Sequence, residues 1–198
     1  MSDTAVMRHV LELGRRVSFG VLAGAVAGFV AGGIGGRLFM SALAALNPEA
    51  AGVESDDGFT IGQVTASGTA NLLFVTTVIG AVGGLVWVAV RGLRFGPAWW
   101  QAVSMPLAVT LVVGGQLLHA DGVDFTLLEP TALAVGMTLA VPALAAFVVT
   151  ALGDRWIGSG VTVWQALPPV VAWTARAGIT VGIALATVGL VEDLRGIL

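Results

Sequence analysis

Five separated runs of apolar residues, each close to the length of a membrane-crossing helix, constrain this chain more than any motif in it. A hydrocarbon core about 30 Å thick is crossed by about 20 apolar residues in helical form, and the runs fall near 17–37, 70–90, 102–118, 131–152 and 169–191. Inside hydrocarbon the backbone amides must be satisfied within the protein, so such runs read as helices. The expected fold is therefore an all-α integral membrane bundle, a single transmembrane domain over residues 1–198. Composition agrees: 57% of residues are hydrophobic and 11% charged, against about 25% charged in an ordinary soluble domain. The third run is short, and the fourth carries Pro142, where a kink is expected.

Arginine sets the expected orientation, because positively charged loops stay in the cytoplasm. All nine basic residues are arginine. Arg8, Arg15 and Arg16 precede the first run, Arg91 and Arg94 follow the second, and Arg155 follows the fourth. The alternate segments carry Glu49, Glu54, Asp56, Asp57, Asp121, Asp124, Glu129, Glu192 and Asp193, with only Arg37 and Arg195 against them. This predicts the N-terminus inside and the C-terminus outside, and the lysine-free, Ala- and Gly-rich composition suggests a bacterial cytoplasmic membrane. Trp87, Trp99, Trp100, Trp156, Trp164 and Trp173 form a one-sided belt at the inner boundary.

Ahead of the first run, "DTAVMRHVLELGRR" sets Val6, Met7, Val10 and Leu11 on one helical face and charged residues on the other. It reads as an interfacial amphipathic helix over 1–16. Arg15-Arg16 also has the look of an export signal, with "ALA" at 42–44 as a cleavage site. The apolar stretch exceeds a signal core and four more spans follow, so an uncleaved anchor is expected.

The first run, "GVLAGAVAGFVAGGIGGR", places Gly20, Gly24, Gly28, Gly32 and Gly36 at a constant spacing of four. In water each glycine in a helix interior costs about 1 kcal/mol relative to alanine. In lipid, helix association rests on close van der Waals contact, which small residues permit. Four residues advance an α-helix by about 400°, so the row drifts by about 40° per step. That drift predicts two neighbours for the row, with Gly80 and Gly84 of the second run and Gly178 and Gly182 of the fifth as candidate partners. Packing within one bundle is preferred to a contact between subunits.

An internal repeat at an offset of 64 matches Arg91 with Arg155, Gly96 with Gly160, Trp100–Ala102 with Trp164–Ala166, Thr110 with Thr174 and Gly114 with Gly178. A true duplication predicts one added helix followed by two tandem helical hairpins, spans two with three and four with five.

Evidence for chemistry is sparse. The spans hold no carboxylate away from their ends, which argues against coupled proton transport. Arg176, seven residues past Pro169, is the deepest charge and is expected to snorkel to the headgroups. At the outer boundary Arg37, Asn71, Gln116, His119, Asp121, Asp124 and Glu129 form a candidate polar cluster. Arg37 is expected to pair with an acid there, Glu129 being the choice because Pro130 fixes it at the start of span four. One histidine with scattered acids does not make a metal site, cysteine is absent, and the hydrolase, metalloprotease and phosphate-loop motifs are missing, so no metal, cofactor or catalytic residue is expected. A net charge of −3 gives no field for nucleic acid.

The segments "SDDGFTIGQVTASGTANLL" and "DGVDFTLLEPTALA" resemble an uncharacterised group of bacterial multi-pass membrane proteins with acidic outer loops, over residues 45–140 or so. The resemblance implies a membrane location and carries no activity. Two functions remain in view. One is a non-enzymatic accessory or scaffold component that associates through its glycine-rich helices with another copy or another membrane protein. The other is a small channel or carrier with a polar outer mouth.

Overall fold

The computed structural model describes residues 3–55, 58–119, 122–158 and 162–198. Helix α1 (Asp3–Ala27) runs through a π-helical segment (Gly28–Gly35) into α2 (Gly36–Leu46). A loop with a short 3-10 turn leads to α3 (Ala66–Val90), which ends in the turn Arg91–Leu93. Then follow α4 (Ala98–Leu117), the short α5 (Val123–Leu127), α6 (Thr131–Ile157), the single turn α7 (Val163–Ala166) and α8 (Pro169–Ile197). Among the described residues the only β-type pairing is an isolated bridge between Glu54 and Thr60.

Five stretches are long and apolar enough to cross a membrane: Val10–Leu46, Ala66–Leu93, Ala98–Leu117, Thr131–Ile157 and Pro169–Ile197. Large side chains such as Leu22, Phe74, Ile79, Leu144, Phe147 and Leu185 stand exposed along them, a surface compatible with hydrocarbon as solvent and not with water. The protein is an all-α bundle of membrane-spanning type.

The first of these stretches departs from expectation. The helix expected over 1–16 is not separate within the described residues, since α1 continues from Asp3 through the start of the span without a break. Nothing in the sequence ends the helix there. Glu12 pairs with Arg15 at 2.9 Å and with Arg16 at 2.8 Å, spacings of three and four residues that support helix across the expected boundary. The far end is also longer than expected and reaches Leu46. Pro142 lies buried within α6 and does not end it.

Helix contacts do not follow chain order. Helix α1 packs along α3 and on α6, while α4 packs on α6 and on α8. The consecutive pairs α3 with α4 and α6 with α8 are not major contacts, so the two hairpins expected from the repeat are not the packing units. The matched positions also differ in surroundings. Arg91 is buried whereas Arg155 is exposed, and Gly114 is packed on Leu139 whereas Gly178 faces open space.

The glycine row explains the tightest contact. A methyl group at Gly24 would overlap the backbone of Gly80 and Gly84, and one at Gly28 would overlap Thr76 and Gly80. Gly20 lies against Gly84 and Val88, and Gly32 against Thr76. The order is antiparallel, and the whole row faces the same helix, including Gly36, whose nearest neighbour is Leu72. Two neighbours were expected, and the π-helical segment accounts for the difference. With hydrogen bonds from residue i to i+5, it turns less per residue than an α-helix, so the drift of about 40° per four-residue step is cancelled where it would have carried Gly32 and Gly36 off α3. Gly178 and Gly182 take no part. Among the described residues nothing lies within 4 Å of a β-carbon placed at either, because α8 packs on α4 and makes no major contact with α1.

Two buried clusters close the ends of the bundle. At the acidic end Leu43, Leu118, Phe125, Leu128, Ala134, Val135 and Leu190 meet, and at the arginine-rich end Ala27, Trp87, Val149 and Ile157 do.

Candidate functional site

Drawing α3 onto α1 leaves α3 apart from α4, and a cleft of about 1590 Å³ opens between them. Its walls are apolar: Ile79, Val82 and Val86 on α3, Met105 and Val109 on α4, Ile179 and Ile183 on α8, with α6 contributing Pro142 and Val149. Charge enters at the two ends only, through Arg37 at the acidic end and Arg94 and Arg176 at the other. The polar minority makes water a poor occupant, since a stable water needs several hydrogen-bonding partners.

At the arginine-rich end the guanidinium groups are held in place by identifiable contacts. Arg94 makes a two-point pair with Asp154, its Nη1 at 2.9 Å from Oδ2 and its Nη2 donating to Oδ1. Arg91, 8% exposed, donates to the carbonyl oxygen of Gly158. Both lie over the ring of Trp87, at 5.4 Å and 5.3 Å from its centroid, and Trp87 in turn fills the space that Gly153 leaves on α6. Trp164 donates its indole N–H to the carbonyl of Ala89 at 2.6 Å. Arg176 reaches back along α8 so that its Nε donates to the Leu93 carbonyl at 3.0 Å, with its guanidinium 5.9 Å from the Phe95 ring and 5.2 Å from the Trp173 ring.

The acidic end looks different from the expected polar cluster. Arg37 does not pair with Glu129: among the described residues the ion pairs are those of Glu12 with Arg15 and Arg16 and of Arg94 with Asp154. Instead Arg37 lies 5.4 Å from the Phe59 ring centroid, its Nη1 3.9 Å from the Met40 sulfur, and its Nε is enclosed without a partner. The cause is the anchoring of Glu129. Its backbone N–H donates to the side-chain oxygen of Asn47 at 2.7 Å and its carbonyl accepts from the Asn47 amide at 2.9 Å, which leaves its own side chain exposed. Asn71 lines the cleft with Arg37, whereas Gln116 and His119 are exposed and outside the lining. Asp124 lies in α5, its side chain outside the described set, and Asp121 lies outside the described residues altogether. Among the described residues no group of three metal-ligating side chains comes together.

Sequence reasoning missed one residue that matters here and the placing of another. Asn47, 1% exposed, resembles any loop asparagine in the sequence, and only its burial reveals its role. Arg176 was legible as a charge in a span, but its place on the cleft wall depends on which face of α8 meets α4. Comparison of the chain with protein-family models, with curated proteins and with solved structures gives no match.

Proposed function

We propose that the protein is a non-enzymatic multi-pass component of the bacterial cytoplasmic membrane, N-terminus inside, that holds lipid in its cleft, as a carrier or lipid-binding accessory does. The observation that carries this reading is the cleft itself, built from every span, apolar along its walls and cationic only at its ends. Acyl chains are the apolar material a bilayer supplies, and pockets of this kind are mostly apolar with a few polar groups that fix orientation. The lack of carboxylates away from the ends of the spans supports binding over coupled transport.

A second reading, association with another copy through glycine-rich helices, is favoured by one feature. Gly178 and Gly182 expose a close-approach surface on α8 that none of the described residues covers. The row in α1 supports it less, because that row is already occupied by α3.

Native mass spectrometry of the protein released from mild detergent tests both. A lipid-sized adduct on a single copy is expected, and filling the cleft with Ala108→Trp or Val82→Trp lowers the lipid-bound fraction at least tenfold relative to Leu185→Trp on the exposed face. Equal retention by all three variants, or no adduct on the wild type, contradicts the lipid reading. A dimer that Gly182→Leu disperses supports the second.

A further inference from the structure

Arg176 lines the cleft with part of its hydrogen-bonding edge unused. Its Nε is taken by the Leu93 carbonyl, but its two terminal nitrogens have no hydrogen-bond partner among the described residues, and the side chain lines both the cleft and a smaller hollow of about 360 Å³ beside Phe95 and Trp173. No carboxylate among the described residues forms an ion pair with it. At this end of the bundle Asp154 is engaged by Arg94, and Glu12 by Arg15 and Arg16. The two flanking rings and the Leu93 bond fix the plane of the guanidinium.

Below it the wall of α8 continues at helical spacing. Arg176, Ile179, Thr180 and Ile183 all line the cleft, and seven residues of helix put Ile183 about 10 Å deeper than Arg176. A cation at the boundary followed by an apolar stripe matches the form of an amphiphile with an anionic head. A guanidinium presents its N–H groups as a planar fork suited to phosphate oxygens.

We infer that Arg176 receives the phosphate headgroup of an anionic bilayer lipid whose acyl chains lie along Ile179 and Ile183 in the cleft. The inference rests on the lipid-holding reading above and adds headgroup selectivity and the leaflet from which lipid enters, that of the arginine-rich end. A zwitterionic head brings its own ammonium beside the unpaired Arg176 and is disfavoured by like-charge contact.

The test titrates the full chain in detergent with phosphatidic acid, with phosphatidylcholine of the same acyl chains, and with inorganic phosphate, read by native mass spectrometry. The wild type is expected to bind phosphatidic acid at least tenfold more tightly than phosphatidylcholine. Arg176→Gln brings the two within twofold by losing affinity for phosphatidic acid alone, Arg176→Lys retains part of the preference, and the exposed Arg155→Gln retains all of it. Equal binding of the two lipids by the wild type, or a preference that survives Arg176→Gln, overturns the headgroup assignment while leaving the cleft reading intact. Binding of neither lipid overturns both. Inorganic phosphate bound as tightly as phosphatidic acid identifies a free-anion site and overturns the lipid. Should Arg176→Gln not fold, the wild-type comparison of the two lipids and the Arg176→Lys variant still decide.

Discussion

The side chain of Asn47 joins two loops at the acidic end, bonding to the Leu43 carbonyl at 2.9 Å and to both backbone groups of Glu129. A buried amide with its donors and acceptor satisfied resists replacement, because removal leaves the opposing backbone groups without partners. Asn47→Leu is expected to lower stability by about 2 kcal/mol or more, whereas Asn71→Ala, at an exposed position with no hydrogen bond to lose, stays within about 0.5 kcal/mol. Thermal melts in detergent check the pair, and equal midpoints for the two variants would contradict the assignment. Arg37 shows why charge position alone misleads. Its location at the end of the first apolar run is plain in the sequence, but its partner depends on where Asn47 pins Glu129, and that is a tertiary fact. The side chain settles over Phe59 instead.

At the scale of the helix, the glycine row was legible as a contact surface because small residues at a spacing of four let backbones approach in lipid. Its partner was half legible. Gly80 and Gly84 meet Gly24, Gly28 and Gly20, as small residues at matching spacing suggest, while Gly178 and Gly182, equally plausible on spacing, face outward. Spacing does not encode which helices are neighbours. The π-helical segment Gly28–Gly35 was not legible either, since its apolar sequence GFVAGGIG is compatible with either winding, and the helix adopts the one that keeps its small face on α3. Gly24→Leu is expected to destabilise the bundle by about 3 kcal/mol or more, since it drives a side chain into backbone rather than into a yielding side chain. Gly182→Leu is expected to change stability by less than about 1 kcal/mol, gaining helix propensity at an open position. Unfolding midpoints in a denaturing detergent series measure both, and a Gly24→Leu variant as stable as Gly182→Leu would mean that the contact does not form.

For the molecule as a whole, hydropathy conveyed the five spans and the charge pattern of their ends, because crossing hydrocarbon is a constraint on each segment separately. The cleft was not legible, because it arises from pairwise choices among helices: α3 held by α1, α4 held by α6 and α8, and space left where α3 and α4 would otherwise meet. The account stands on lipid filling that space, and the most direct measurement maps contacts of a phospholipid carrying a photoreactive acyl chain, incorporated with the protein into vesicles. The account predicts cross-links at Met105 and Val109 on the cleft wall as well as at Val181, Leu185 and Val188 on the exposed face of α8. Labelling of the exposed face with Met105 and Val109 left unmodified would show that chains do not enter the cleft, and would contradict it.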